Sequence, residues 1–325
     1  MIPLLDALED LSEPVLFRPF ITGIIIGVVC GLIGVFMVLK GLVFFGNGIA
    51  HSAFAGGALG ILLGINPLIT IAIFALATSA GIGYIREKTK LTNETAIGIF
   101  FAFSMGLGVV FIQLYNTYNT DISSLLFGSL NSISKSELLT VVIIAVVIVV
   151  LTFLIKKELY FITFDEELAR ANGLPVKILN YIFLAMIALT VVMSITTVGV
   201  ILVMAYVVTP AATAYQFTYK FNRLIIYTII IASIIPALGF IIAYMFNLSA
   251  AATIAILLTG FFGIAMLISP KRRSKTPEIE DQYCQMCANL VDGVNCRFCI
   301  LEEEEKKHDH SNHEKHKEEE DKQNG

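Results

Sequence analysis

The sequence predicts an all-α, polytopic membrane protein: a helical bundle of about nine transmembrane spans, N-terminus out and C-terminus in, with a small cytoplasmic Cys/His-rich tail. Three observations carry this expectation. The 325-residue chain is 56% hydrophobic and only 15% charged, with a mean hydropathy of +0.80, far more apolar than a soluble domain. Its apolar stretches are long enough to cross a hydrocarbon core, which takes ~20 helical residues. Alternating β-barrel segments are absent from the sequence, so of the two structures that satisfy every backbone group in lipid, the helical bundle remains.

The stretches run over 20–39, 46–64, 68–85, 95–115, 138–155, 178–196, 198–218, 224–246 and 250–269. In the first, Gly23, Gly27 and Gly31 recur at helix-packing spacing, and in the second Ser52, Gly56, Gly60 and Gly64 do the same. Such faces let backbones approach closely in lipid, so both helices are expected to pack tightly, against each other or against neighbours. Pro210 and Pro236 interrupt the seventh and eighth stretches, as plain kinks or as breaks that line a cavity. Between the fifth and sixth lies FITFDEELARANGLPV. Thr163 with Glu166 reads as a capping box, Asp165, Glu166 and Glu167 suit a helix N-terminus, and Gly173 with Pro175 ends the run. A short loop helix results, either a solvated element or a docking surface for a soluble partner.

Positive loops stay in the cytoplasm. With the N-terminus outside, Lys40, Arg86, Lys88, Lys90, Lys156, Lys157, Arg170, Lys177, Lys220, Arg223, Lys271, Arg272, Arg273 and Lys275 are cytoplasmic, against only Arg18 and Lys135 outside. The first 14 residues carry Asp6, Glu9, Asp10 and Glu13 without a basic segment, so the first helix is expected to be retained rather than cleaved. Residues 1–17 form an external segment, 18–270 the membrane domain, 271–300 a linker with a four-Cys module, and 301–325 an acidic, His-rich tail. Residues 276–325 hold 6 basic and 14 acidic residues, a net charge of −8, and lack apolar runs, so any core there must be stapled by metal.

His51 is the only histidine before the tail. An ionisable residue inside a membrane is a functional hypothesis by default. Asn47, four residues earlier, shares its helical face, and Ala55 continues that face with room beside the imidazole. The pair can offer nitrogen and oxygen to a metal, or make a helix-to-helix hydrogen bond. Asp121 either draws cations to an outer mouth or caps a short segment. The spans contain no Lys, Arg, Asp or Glu, so the buried carboxylates of ion-coupled secondary transporters are missing. No G-x-x-x-x-G-K-[ST] or H-E-x-x-H motif occurs. The chain is therefore not expected to be an enzyme or to bind nucleotide in that mode, and any pumping draws its energy from another subunit. No nucleic-acid partner is expected. Cys30 reads as a small packing residue, whereas Cys284-x2-Cys287 and Cys296-x2-Cys299 form two thiol pairs that suit one structural zinc, with a redox or iron–sulfur role as the alternative.

Four ordered stretches, FFGNGIAHSAFAGGALGILLGINP, DISSLLFGSL, FDEELARANGLP and TVGVILVMAYVVTPAATAYQF, resemble the integral membrane permeases of metal-ion ABC importers, the family of zinc, manganese and iron permeases. The resemblance covers residues 18–270. It implies a homodimer around one central pathway, two cytoplasmic ATPase subunits and an external metal-binding protein. His51 falls on the family's pathway histidine, and the segment with Asp165, Glu166, Leu168, Ala169 and Gly173 resembles its ATPase-coupling loop. Two residues depart from the pattern: Asn47 stands where many members carry Asp, and Tyr215 where they carry Arg. Without that Asp a hard anionic ligand is lost, and the metal site is weaker, transient or completed elsewhere.

The expected protein is thus a multi-pass permease of the cell membrane, passing a divalent transition metal inward over His51, Asn47 and Asp121. Zinc is the expected cargo, because an imidazole and a thiol- and His-rich tail suit it better than manganese or magnesium. A secondary transporter or channel acting without an ATPase is the alternative, and a membrane metalloenzyme is a distant third.

Overall fold

The structure is a computed structural model that describes residues 14–89, 92–114, 133–218 and 220–269. Among these residues every regular element is helical. Long helices occupy all the apolar stretches: α1 (Pro14–Leu39), α2 (Val43–Leu63), α3 (Pro67–Lys88), α4 (Asn93–Leu114) and α5 (Lys135–Leu154). Two short helices follow, α6 (Lys156–Phe164) and α7 (Glu166–Ala171), then α8 (Val176–Val198), α9 (Val200–Phe217), α10 (Phe221–Met245) and α11 (Ala250–Ile268). Seven helices among the described residues are long and apolar enough to cross a membrane; α2 is not one of them, and the apolar part of α9 is shorter, Leu202–Phe217. Asn47, His51 and five glycines dilute the hydropathy of α2.

The small-residue faces do pack closely, each against a neighbour rather than against the other. A Cβ on Gly27 would meet the Ala232 carbonyl oxygen of α10 and the Tyr206 ring of α9, and one on Gly34 would strike the Val207 carbonyl of α9. Added to Gly56 or Gly60, it would run into Thr70 or Pro67 at the start of α3. The central layer is therefore α1 against α9 and α10, with α2 seated between α3 and α4. Ile26, Ile33, Phe36, Ile49, Val191 and Val203 fill it with essentially no exposure. Pro210 and Pro236 are buried inside continuous helices. At the periphery Leu154, Ile256 and Leu267 are at least 70% exposed, an outward apolar surface that lipid covers at no cost but water would not.

The loop between α5 and α8 differs from expectation. It holds two short helices rather than one, and Thr163 does not cap the second. Thr163 still belongs to α6, its Oγ1 donating to the Leu159 carbonyl at 2.6 Å. Asp165 adopts extended backbone and caps α7 by accepting from the Leu168 N–H at 2.8 Å. A reciprocal capping box forms instead at the start of α5, between Ser134 and Glu137.

Candidate metal pathway and coupling site

His51 lies in the first half of α2, half-buried. Its ring meets that of Phe101 on α4 edge-on, with centroids 4.5 Å apart and planes at 75°. Nδ1 is buried and has no hydrogen-bond partner. Helix packing thus involves the ring rather than this nitrogen, which is left with a free lone pair or proton; an unsatisfied buried polar group costs roughly 1–3 kcal/mol. Asn47, one turn earlier, is also half-buried. The expected room at Ala55 is absent: Ala55 is fully buried, and its Cα lies 3.4 Å from where a Cβ of Gly108 on α4 would stand. At Asn47 and His51 that face is partly open, and at Ala55 it is closed.

Next to His51, Ser52 turns the other way. Its hydroxyl hydrogen-bonds Thr78 and donates to the Phe74 carbonyl at 3.2 Å, so α2 is fastened to α3 beside the imidazole. Among the described residues no three His, Cys, Asp or Glu side chains converge. Asp121 lies outside the described residues, as do Cys284, Cys287, Cys296 and Cys299. Hydroxyls inside the helices mostly bond back to their own backbone, as expected of them: Thr190 donates to the Met186 carbonyl at 2.8 Å and Ser194 to the Thr190 carbonyl at 2.7 Å. Cys30, fully buried, pairs with Ser194 at 3.2 Å.

At one end of the bundle the residues of the expected coupling segment take different positions. Asp165 is spent as the cap of α7, Ala169 is fully buried, and Gly173 ends the turn at φ +79°, a conformation glycine adopts freely. Glu167 is exposed and Leu168 half-buried. Glu166 turns inward. Its Oε1 is 3.7 Å from Lys40 Nζ and 3.5 Å from Arg86 Nη2, and its Oε2 is 4.0 Å from Arg170 Nη2. Asn180 of α8 donates to Oε1 at 3.1 Å and accepts from Lys40 at 2.7 Å. The Lys40 side chain is only 6% exposed, and its Nζ sits 5.6 Å from the Phe183 ring centroid. Burial pulls this ammonium down to about 8, against the opposing pull of the Glu166 charge. Beside the cluster opens a cleft of about 450 Å³ lined by Arg86, Glu166, Arg170, Lys177, Asn180 and Tyr181 among others, with Lys177 paired to Glu87 on its rim. Sequence reading picked out Glu166 but missed Lys40, Arg86 and Asn180 as its partners. The only local signal of Lys40 and Arg86 was charge at helix ends, and the neutral Asn180 gave none.

Residues 12–269 match the profile of the ABC 3 transport family. The chain belongs to that family. It is 35% identical over 255 residues to the manganese transport system membrane protein MntC of Listeria monocytogenes, covering 78% of this chain and 91% of that protein. A probable iron transport system membrane protein of Haemophilus influenzae is 34% identical over 267 residues, covering 82% and 97%. In structure it resembles a chain of PsaBC from Streptococcus pneumoniae in complex with Fab, with a TM-score of 0.75 and 31% identity over 84% of this chain and 98% of that one. An inward-facing putative metal-chelate type ABC transporter shares the fold at a TM-score of 0.62 and 16% identity. This ABC 3 family member is a multi-pass protein of the cell membrane.

Proposed function

We propose that the chain is the permease subunit of an ATP-driven importer for a divalent first-row metal, with manganese the favoured cargo and iron the second. The observation that carries this reading is His51: in an ABC 3 family helix, a buried imidazole nitrogen without a protein partner stands one turn from the amide of Asn47. A single imidazole with an oxygen donor, the Asn47 amide, and no thiolate suits manganese or iron. The relatives' names favour the same two metals. The zinc preference rested on the imidazole and the tail thiols, and no thiol supports it at His51, since Cys30 is engaged with Ser194.

In this reading all the long helices span, nine in number, with the N-terminus outside and the C-terminus inside. Helix α2 crosses despite its polar residues because α3 and α4 shield it. Two copies enclose one pathway and an external binding protein delivers the ion. A separate ATPase docks on α6–α7, where Glu167 and Leu168 offer the outward edge while Asp165, Ala169 and Gly173 hold the shape. The four tail cysteines hold one structural zinc.

The test is uptake of manganese into vesicles containing the complex, with competing iron and zinc, with and without ATP. His51→Ala should lower ATP-dependent uptake at least tenfold while the complex stays assembled. Full uptake by an assembled His51→Ala complex returns His51 to packing against Phe101, and uptake without ATP replaces the importer with a secondary transporter or channel.

A further inference from the structure

The charge cluster on Glu166 joins four parts of the chain. Lys40 follows α1, Arg86 ends α3, Asn180 belongs to the first turns of α8, and Glu166 opens α7. Exposed ion pairs hold little, but Lys40 is desolvated, and a buried ammonium needs its carboxylate and its amide: removing one partner leaves an uncompensated charge in an apolar site. Its stem and head are confined further by the Phe183 ring. A displacement of α7 that left Lys40 behind would strand that charge, so α7 moves with the end of α1, and the pair of Glu166 with the partly exposed Arg86 extends the link to the end of α3. Helix α3 in turn is hydrogen-bonded to α2 at Ser52, the neighbour of His51, through Thr78 and the Phe74 carbonyl. From α7 to the imidazole the chain of contacts is therefore continuous, through one carboxylate and one serine.

Resting on the importer reading, we propose that Glu166 is the positioning residue that converts movement of α7 on the ATPase into movement of α3 and α2 around His51. Its role is transmission, distinct from the docking done by the outward edge of α7. Spatial continuity alone does not establish coupling, and a double-mutant cycle does.

The experiment uses the full chain assembled with its ATPase and binding protein in proteoliposomes, reading manganese uptake, ATP hydrolysis and co-purification of the ATPase. Glu166→Gln and Lys40→Met should each lower the manganese carried per ATP at least tenfold, with the ATPase still bound at the wild-type ratio. The double variant should be no worse than the poorer single variant by more than about twofold, and Lys40→Arg should retain most of the wild-type ratio. Arg86→Met, altered at a partly exposed side chain, carries the same expectation if the Glu166→Gln chain does not fold. Unchanged manganese per ATP in these variants, losses that multiply in the double variant, or release of the ATPase by Glu166→Gln would each overturn the inference. A wild-type complex without ATP-driven uptake overturns the importer reading beneath it, which separates the two failures.

Discussion

Replacing Gly56 with Ala tests how closely transport depends on the seat of α2 against α3. A Cβ there would stand 2.6 Å from the Thr70 carbonyl oxygen, 2.8 Å from Phe74 Cβ and 3.0 Å from Ile71 Cα. None of these is the far end of a flexible side chain, so the helices must part. Ordinary contact begins at 3.4 Å, and the shortfall is 3.4 − 2.6 = 0.8 Å. Overpacking of this kind costs ~1–3 kcal/mol, while Ala in place of Gly inside a helix returns ~1 kcal/mol, for a net loss of about 0–2 kcal/mol. His51 lies little more than one turn away on the same helix, and Ser52 between them carries the bond to Thr78. Positioned reacting groups in enzymes lose roughly 10²-fold per ångström of misplacement. A parting of this size should therefore lower uptake about tenfold or more while the protein unfolds only a few degrees earlier. Circular dichroism reads the melting, since the chain has no Trp, and vesicle uptake reads transport. Gly106→Ala on α4 is the control: a Cβ there meets nothing within 4 Å, and the variant should transport normally with equal or slightly greater stability. Normal uptake by Gly56→Ala, or an equal loss in Gly106→Ala, would refute the idea that this seat positions His51.

Lys40 gives a pH dependence of definite sign. Its ammonium is held at about 8 in the folded protein against 10.5 ordinarily, so the folded state binds fewer protons between those values and stability rises with pH through that window. Below pH 8 the buried charge costs about 3 kcal/mol at 1.36 kcal/mol per unit. Lys40→Met should accordingly melt higher than wild type at pH 7, with the advantage fading between pH 8 and pH 10.5, even as its manganese per ATP falls. Wild-type coupling should decline above pH 8 as the ammonium is lost, and Lys40→Arg should hold it, measured as manganese per ATP across pH 7–9. Leu168→Asp, on the outward edge of α7, should weaken ATPase co-purification by roughly 2–5 kcal/mol, the usual cost of an unpaired charge in a small interface; unaltered association removes α7 as the dock. In the full chain, one bound zinc should be found by metal analysis and lost on Cys→Ser substitution at Cys284 and Cys287; unchanged zinc content excludes those thiols as ligands.

Much of the architecture is legible because hydropathy is local. The stretch at 250–269 became Ala250–Ile268 and that at 68–85 became Pro67–Lys88, the latter longer because Arg86 and Lys88 remain helical past the apolar run. Glycine spacing announced close approach but not the partner: the face of Gly27 and Gly34 meets α9 and α10, a choice made by tertiary packing. His51 stood out because an ionisable group in an apolar run needs a reason, yet Phe101, the ring against it, is one aromatic among many. The capping error at Thr163 came from reading Glu166 as a local partner when its charge was committed to residues far away.

That commitment explains why the cluster itself was invisible. Lys40 and Asn180 are 140 positions apart, and in the sequence Lys40 and Arg86 look like any cations that mark a cytoplasmic loop. A cation that only marks orientation gains nothing from leaving water. Arg170, 60% exposed in the same cluster, fits that role, whereas Lys40, at 6%, does not. Lys40 gives up hydration that a marker would keep, and its Glu166 and Asn180 partners tie the end of α1 to α7 and α8. The difference in burial between two cations on one carboxylate is what separates a topological signal from a mechanical link.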